Sequence, residues 1–137
     1  LSPEKGKMKV KGHIIPFLEL GIGFVHELTV KENIFLYGSL LGLSDARIRR
    51  RFADIISFAG LERFVDTPAK DLSTGMLARL AFSISKEARG DILLIDEVLA
   101  VGDEAFQKQC MKIFKDFRKM KRTILFVSHS LALIENI

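Results

Sequence analysis

The sequence predicts an α/β fold: a core of parallel strands with a helical subdomain inserted into it. Three observations carry this. Ile92-Leu93-Leu94-Ile95 is an uninterrupted apolar run, the pattern of a strand covered on both faces. A helical pattern follows, and then a second apolar stretch at Thr123–Val127, so that strand, helix and strand make a βαβ unit. The N-terminal two-fifths carries mainly helical signals instead.

The elements follow in order. Lys9–Gly12 and Ile14–Leu20 read as short extended pieces around a Gly-His turn, and Gly21–Gly23 as a loop. Thr29 is placed to cap a helix from about Val30 to Leu41, which Gly42 ends. Ser44 opens a second helix whose apolar positions are Ile48, Phe52, Ile55, Ile56 and Ala59; Gly60 stops it. Thr67-Pro68 marks a loop. A third helix starts near Ser73 and runs to about Glu87, with Leu77, Leu80, Ala81 and Ile84 as its stripe, before Gly90-Asp91 breaks it. The fourth spans about Glu104 to Met120, with Phe106, Cys110, Ile113, Phe114 and Phe117 inward.

Composition bounds the class. With 137 residues, 48% hydrophobic and 28% charged, the chain is long enough for one domain with a sizeable core, which argues against disorder or a disulfide scaffold. Eleven Phe, one Tyr and no Trp predict an aliphatic, phenylalanine-rich interior. A net charge of +4 is mild and does not point to nucleic acid. The basic runs Lys5–Lys11, Arg47–Arg51 and Arg118–Arg122 are scattered and read as solvated faces or turns. The single cysteine, Cys110, makes no internal disulfide and fits a reducing, cytoplasmic setting. No run of about 18 apolar residues is long enough to span a membrane. No signal peptide is read, and the opening Leu1-Ser2-Pro3 without Met reads as the start of a piece of a longer protein.

Three places invite chemistry. Asp96-Glu97 ends the buried strand, where ligands of α/β sheets sit; the pair suits Mg²⁺ held through water and proton abstraction, or a simple turn cap. Leu72-Ser73-Thr74-Gly75-Met76 opens a helix, which suits a phosphate on free N–H groups, or plain capping by Ser73. His129 follows a strand between two serines and suits a phosphate oxygen or a water, or a surface position with no role. His13 and His26 read as loop residues, and Cys110 as packing.

Their order and spacing resemble the ATP-binding cassette (ABC) ATPases. Leu72–Met76 is similar to the LSGGQ signature. Ile92–Glu97, whose Asp96 lies 23 residues after Ser73, is similar to the Walker B strand with its catalytic Glu. Val101-Gly102-Asp103 resembles the D-loop, and Ser128-His129 the switch-histidine loop. Leu28–Ile34 resembles the LTV-x-EN stretch that opens the helical subdomain. The resemblance runs from about Lys9 to the end. Glu19–Phe24, Arg79–Phe82 and Asp96–Asp103 resemble the branch that exports O-antigen, teichoic acid and other surface polysaccharides.

The pattern also departs from the family. Gly-x-x-x-x-Gly-Lys-[Ser/Thr], the loop that wraps the β- and γ-phosphates, is not in this sequence; Gly6-Lys7 has Leu1 and Met8 in the wrong places. The chain therefore reads as a fragment that begins after the phosphate-loop helix. The Q-loop glutamine is absent as well: its place falls on Leu20, beside Glu19, so that either Glu19 is a candidate metal or water contact or this branch uses no glutamine there. Met76 stands for the signature's last Gln.

The resemblance implies a partial P-loop NTPase core, with about 27–72 as the helical subdomain and about 9–26 and 73–137 as the α/β core. It implies ATP and Mg²⁺ as cofactors, and a homodimer sandwiching two ATP molecules. Asp96 would orient Mg²⁺ through water and Glu97 polarise the attacking water. His129 would contact the γ-phosphate, and Asp103 bridge the two sites. Ser73, Thr74, Gly75 and Met76 would meet the partner's nucleotide. Residues 21–27 and 66–71 would face a membrane permease, holding the protein at the inner face of the cell membrane. Two other readings stand beside this one: a soluble ABC ATPase without a permease, and a non-catalytic interaction fragment.

Overall fold

The computed structural model describes residues 5–7, 9–17, 22–96 and 103–127, with Asp96 through its backbone. β1 is Ile14–Phe17, α1 Val30–Leu40, α2 Asp45–Ala59, α3 Thr74–Ser85, β2 Ile92–Asp96, α4 Glu104–Lys119 and β3 Thr123–Val127. Two 3₁₀ turns, Glu62–Phe64 and Ala69–Asp71, lie between α2 and α3. The three strands form a parallel sheet in the order β1-β2-β3, with Ile14 opposite Ile92 and Asp96 opposite Val127. The connection from β1 to β2 contains α1, α2 and α3. The connection from β2 to β3 is α4.

Local chemistry sets the helix ends. Thr29 and Glu32 form a capping box: the Thr29 hydroxyl accepts from Glu32 N–H, and the Glu32 carboxylate accepts from Thr29 N–H. Ser44, Ser73 and Asp103 cap α2, α3 and α4 with side-chain oxygens. Gly60 ends α2 in the left-handed region at φ 68°, which a residue with a Cβ rarely adopts.

Two hydrophobic clusters result. One gathers Val30, Ile34 and Tyr37 of α1, Ile48, Ile55 and Ile56 of α2, and Leu80, Ala81 and Ile84 of α3. The other gathers Ile15, Phe17, Leu93 and Ile95 of the sheet, Phe106, Cys110, Phe114 and Phe117 of α4, and Phe82 of α3. α3 belongs to both. Phe82 is the hub of a ring cluster, 5.2 Å from Phe17, 6.0 Å from Phe58, and 5.7 Å from both Phe106 and Phe114.

Four expectations change. Residues 9–12 form no strand, and β1 begins only at Ile14. α3 stops at Ser85. β3 is not buried on both faces: Leu125 is 58% and Val127 57% exposed, and both lie on the face opposite to the half-buried Ile124 and Phe126. The Arg47–Arg51 run is not wholly a solvated face, since Arg47 and Arg51 reach across to Glu87.

Candidate nucleotide-facing site

The first turn of α3 is the expected phosphate-facing segment. Ser73 and Thr74 are exposed, and Gly75 and Met76 half-buried. The Ser73 hydroxyl accepts from Met76 N–H at 3.2 Å, and Leu77 N–H reaches Ser73 C=O at 3.0 Å. The N–H groups of Thr74 and Gly75 have no carbonyl one turn back and point out of the helix end. A Cβ on Gly75 would meet nothing nearer than the Ser73 hydroxyl at 3.9 Å. No packing within the described chain requires glycine there. Ser73 therefore caps the helix, and the donors left for an anion are the backbone groups beside it.

Asp103 has a structural task the sequence did not disclose. One carboxylate oxygen accepts from Phe106 N–H at 2.9 Å and caps α4; the other takes Arg79 Nη2 at 2.7 Å. The Phe106 N–H first, and the Arg79 charge after it, hold the Asp103 carboxyl below the usual range. Arg79 lies over the Phe106 ring at 5.5 Å. The ion pair joins α3 to the start of α4. Arg79 is six residues beyond Ser73, about 9 Å along the helix axis.

Residues 22–31 and 65–70 are zipped together. Val30 N–H reaches Thr67 C=O, Lys31 N–H reaches Val65 C=O, Ala69 N–H reaches Leu28 C=O, and Lys70 N–H reaches His26 C=O, at 2.9–3.0 Å. Asn33, fully buried, locks this joint: its amide oxygen accepts from Val25 N–H, and its NH₂ group donates to the carbonyls of Val25, Leu28 and Thr29. The two stretches expected to face a permease are thus one hydrogen-bonded unit, with Ile22, Val25 and Phe64 exposed on or beside it. Sequence reasoning passed over Asn33 as a working residue. The signal was present: it sits on the Val30, Ile34, Tyr37 stripe, where a polar side chain demands internal partners.

Glu19, Glu97 and His129 lie outside the described residues, as does the side chain of Asp96, whose backbone closes β2. Among the described residues no group of three or more His, Cys, Asp or Glu is placed to hold a metal ion. Burial pushes the Cys110 thiol up to about 12, which keeps it protonated and inert. No described helix is long and apolar enough to cross a membrane.

The arrangement can be set beside known proteins. No family model matches the chain. Over all 137 residues it is 47% identical to the O-antigen export system ATP-binding protein RfbB of Klebsiella pneumoniae, covering 56% of that protein. Over 129 residues, 94% of the chain, it is 40% identical to the teichoic acids export ATP-binding protein TagH of Bacillus cereus, covering 23% of it. The chain is thus similar in sequence to the ATP-binding proteins of O-antigen and teichoic acid export systems. It spans about half the length of the Klebsiella relative. The fold agrees: an ATP-binding subunit of an ABC transporter superposes with a TM-score of 0.75 at 24% identity, over 89% of this chain and 50% of that one. A dimeric ATP-binding cassette in a post-hydrolysis state, bound to ADP and Pi, superposes at 0.69 with 21% identity, over 90% and 55%.

Proposed function

We propose that this chain is part of the ATP-hydrolysing subunit of an ABC exporter of a cell-surface polysaccharide. The 47% identity to an O-antigen export ATP-binding protein across the whole chain carries the reading. The open first turn of α3 supports it, because the Thr74 and Gly75 N–H groups fit a phosphoryl oxygen of a nucleotide held by a second subunit. Such a subunit works as a dimer, bound to a membrane permease at the inner face of the cell membrane. Residues 22–27 and 66–71, braced by Asn33, form the permease-facing surface. Residues 27–72 act as the helical subdomain, and 9–26 with 73–137 as the α/β core.

ATP with Mg²⁺ is the cofactor pair, and its chemistry is transfer of the γ-phosphoryl group to water. Glu97 takes the proton of the attacking water, Asp96 and Glu19 serve the metal side, and His129 meets the γ-phosphate. Ser73, Thr74, Gly75 and Met76 contact the nucleotide from the partner side, and Asp103 borders the junction between the two sites. The soluble reading is not favoured, since relatives at 40–47% identity are export subunits.

Two variants of the full-length protein test this. Glu97→Gln keeps ATP binding and lowers turnover on the order of 10²–10⁴-fold, the scale of a general base. Ser73→Arg abolishes turnover while leaving monomer ATP affinity nearly unchanged. Phosphate release at the wild-type rate in Glu97→Gln removes the base assignment. A Ser73→Arg loss of monomer affinity as large as its loss of turnover removes the trans contact.

A further inference from the structure

Beyond the nucleotide-facing turn, the far end of α3 carries a buried charge cluster that the expected mechanism does not use. Glu87 sits two residues past the helix, with its side chain 7% exposed. Arg51 of α2 grips it with two bonds, Nε at 2.9 Å and Nη2 at 3.2 Å, and Lys86 Nζ adds a third at 2.9 Å. Arg47 of α2 donates Nε and Nη2 to the Glu87 backbone carbonyl and brings its charge to within 4.0 Å of the carboxylate. Lys86 also lies 4.6 Å above the Phe58 ring, again on α2. Every one of these contacts except the Lys86–Glu87 pair joins α2 to the end of α3.

We infer that Glu87 is a positioning residue for the phosphate-facing turn: by fixing the C-terminal end of α3 to α2, it sets where Ser73–Gly75 stand relative to the α/β core. The inference rests on the reading that this turn meets the partner's nucleotide. The geometry is that of a lever. α3 has 12 residues, so it is about 18 Å long, and a tilt of about 5° at the Glu87 end moves the first turn by about 1.5 Å. A misplacement on the order of 1 Å costs about 10²-fold in a reaction that depends on alignment. The ion pair Arg79–Asp103 ties the middle of the lever to α4, so two attachments define its direction. Buried charges held by several partners favour one arrangement over near alternatives because any other leaves a charge unpaired.

The experiment uses the full-length protein with spin labels at Lys70→Cys, three residues before Ser73, and Lys112→Cys on α4; Cys110 is buried and stays unlabelled. Glu87→Gln is expected to broaden the label-to-label distance distribution and to lower kcat about tenfold or more, with monomer ATP affinity unchanged. Glu87→Asp keeps the charge and is expected to restore the narrow distribution and most of the turnover. An unchanged distribution in Glu87→Gln, or lost turnover with an unchanged distribution, overturns the inference. Should Glu87→Gln fail to accumulate, Arg51→Gln, which leaves Lys86 and Arg47 to balance Glu87, is read by the same criteria. Failure of the nucleotide-facing reading shows up separately, as wild-type turnover in Ser73→Arg, whereas the distance measurement needs no nucleotide.

Discussion

From Leu80 to Ser85 every residue of α3 is buried, whereas Ser73 and Thr74 at its start are exposed. The closed half packs on both hydrophobic clusters and ends in the Glu87 cluster. The open turn has one side-chain bond, from Met76 N–H to the Ser73 hydroxyl. The difference separates two tasks within one helix. Apolar burial and the ion pairs at Glu87 and Asp103 hold the axis, and the N–H groups of Thr74 and Gly75 at its start have no carbonyl partner within the helix. A helix serving stability alone gains nothing from a glycine at its second position, where alanine is the better helix former.

The comparison breaks most easily at Phe82. Its ring touches four others that belong to β1, α2 and α4, so Phe82→Ala opens a cavity where both halves of the fold meet. A loss of about 3–5 kcal/mol is expected, read as a fall in the denaturation midpoint of the chain. Ser73→Ala, at the open end, should cost only about 1 kcal/mol as a lost cap. Equal losses at the two positions would mean that the first turn is as deeply anchored as the rest.

Acid offers a subtler separation. Burial of Glu87 pushes its pKa up, but the Arg51 and Lys86 hydrogen bonds and charges outweigh this and hold it below the ordinary 4.5. A carboxylate with a depressed folded-state pKa contributes stability that is present above its unfolded value and is lost as pH falls through the folded one. Stability should therefore drop below about pH 4.5, with Glu87 adding at most about 1.4 kcal/mol per pH unit to the slope. Glu87→Gln removes that share, and unfolding curves between pH 5 and 3 show it as a shallower decline. An identical slope in wild type and variant means that Glu87 is not paired in solution.

What the sequence disclosed follows the range of the interactions. Caps at Thr29, Ser44 and Ser73 and the stop at Gly60 are made by residues within a few positions, and all were legible. The pairing of Arg51 with Glu87 spans 36 residues and that of Arg79 with Asp103 spans 24. Nothing local announces which helix faces which, so the Arg47–Arg51 run looked like solvated charge. The exposure of Leu125 and Val127 belongs here too: an apolar run does not show which of its two faces is left uncovered. For the nucleotide site, Ser73–Met76 could be read as a helix start from the residues themselves. The roles proposed for Asp96, Glu97 and His129 rest on order and spacing alone, because a carboxylate pair or a histidine at a strand end is compatible with many tasks.

The smallest expected effect is the most discriminating. A methyl group on Gly75 would meet only the Ser73 hydroxyl, at an ordinary contact distance of 3.9 Å. Gly75→Ala should therefore raise the stability of the chain, by a few tenths up to about 1 kcal/mol, since alanine is the better helix former. Under the proposed function, the same methyl in the full-length protein adds bulk at the helix start that meets the partner's nucleotide. Turnover should fall by about tenfold or more, with monomer ATP affinity unchanged. A variant that is firmer and yet slower cannot be explained by damage to the fold. If Gly75→Ala gains stability and keeps full turnover, nothing approaches the helix start closely enough to need glycine, and the open turn is a capped end with no ligand.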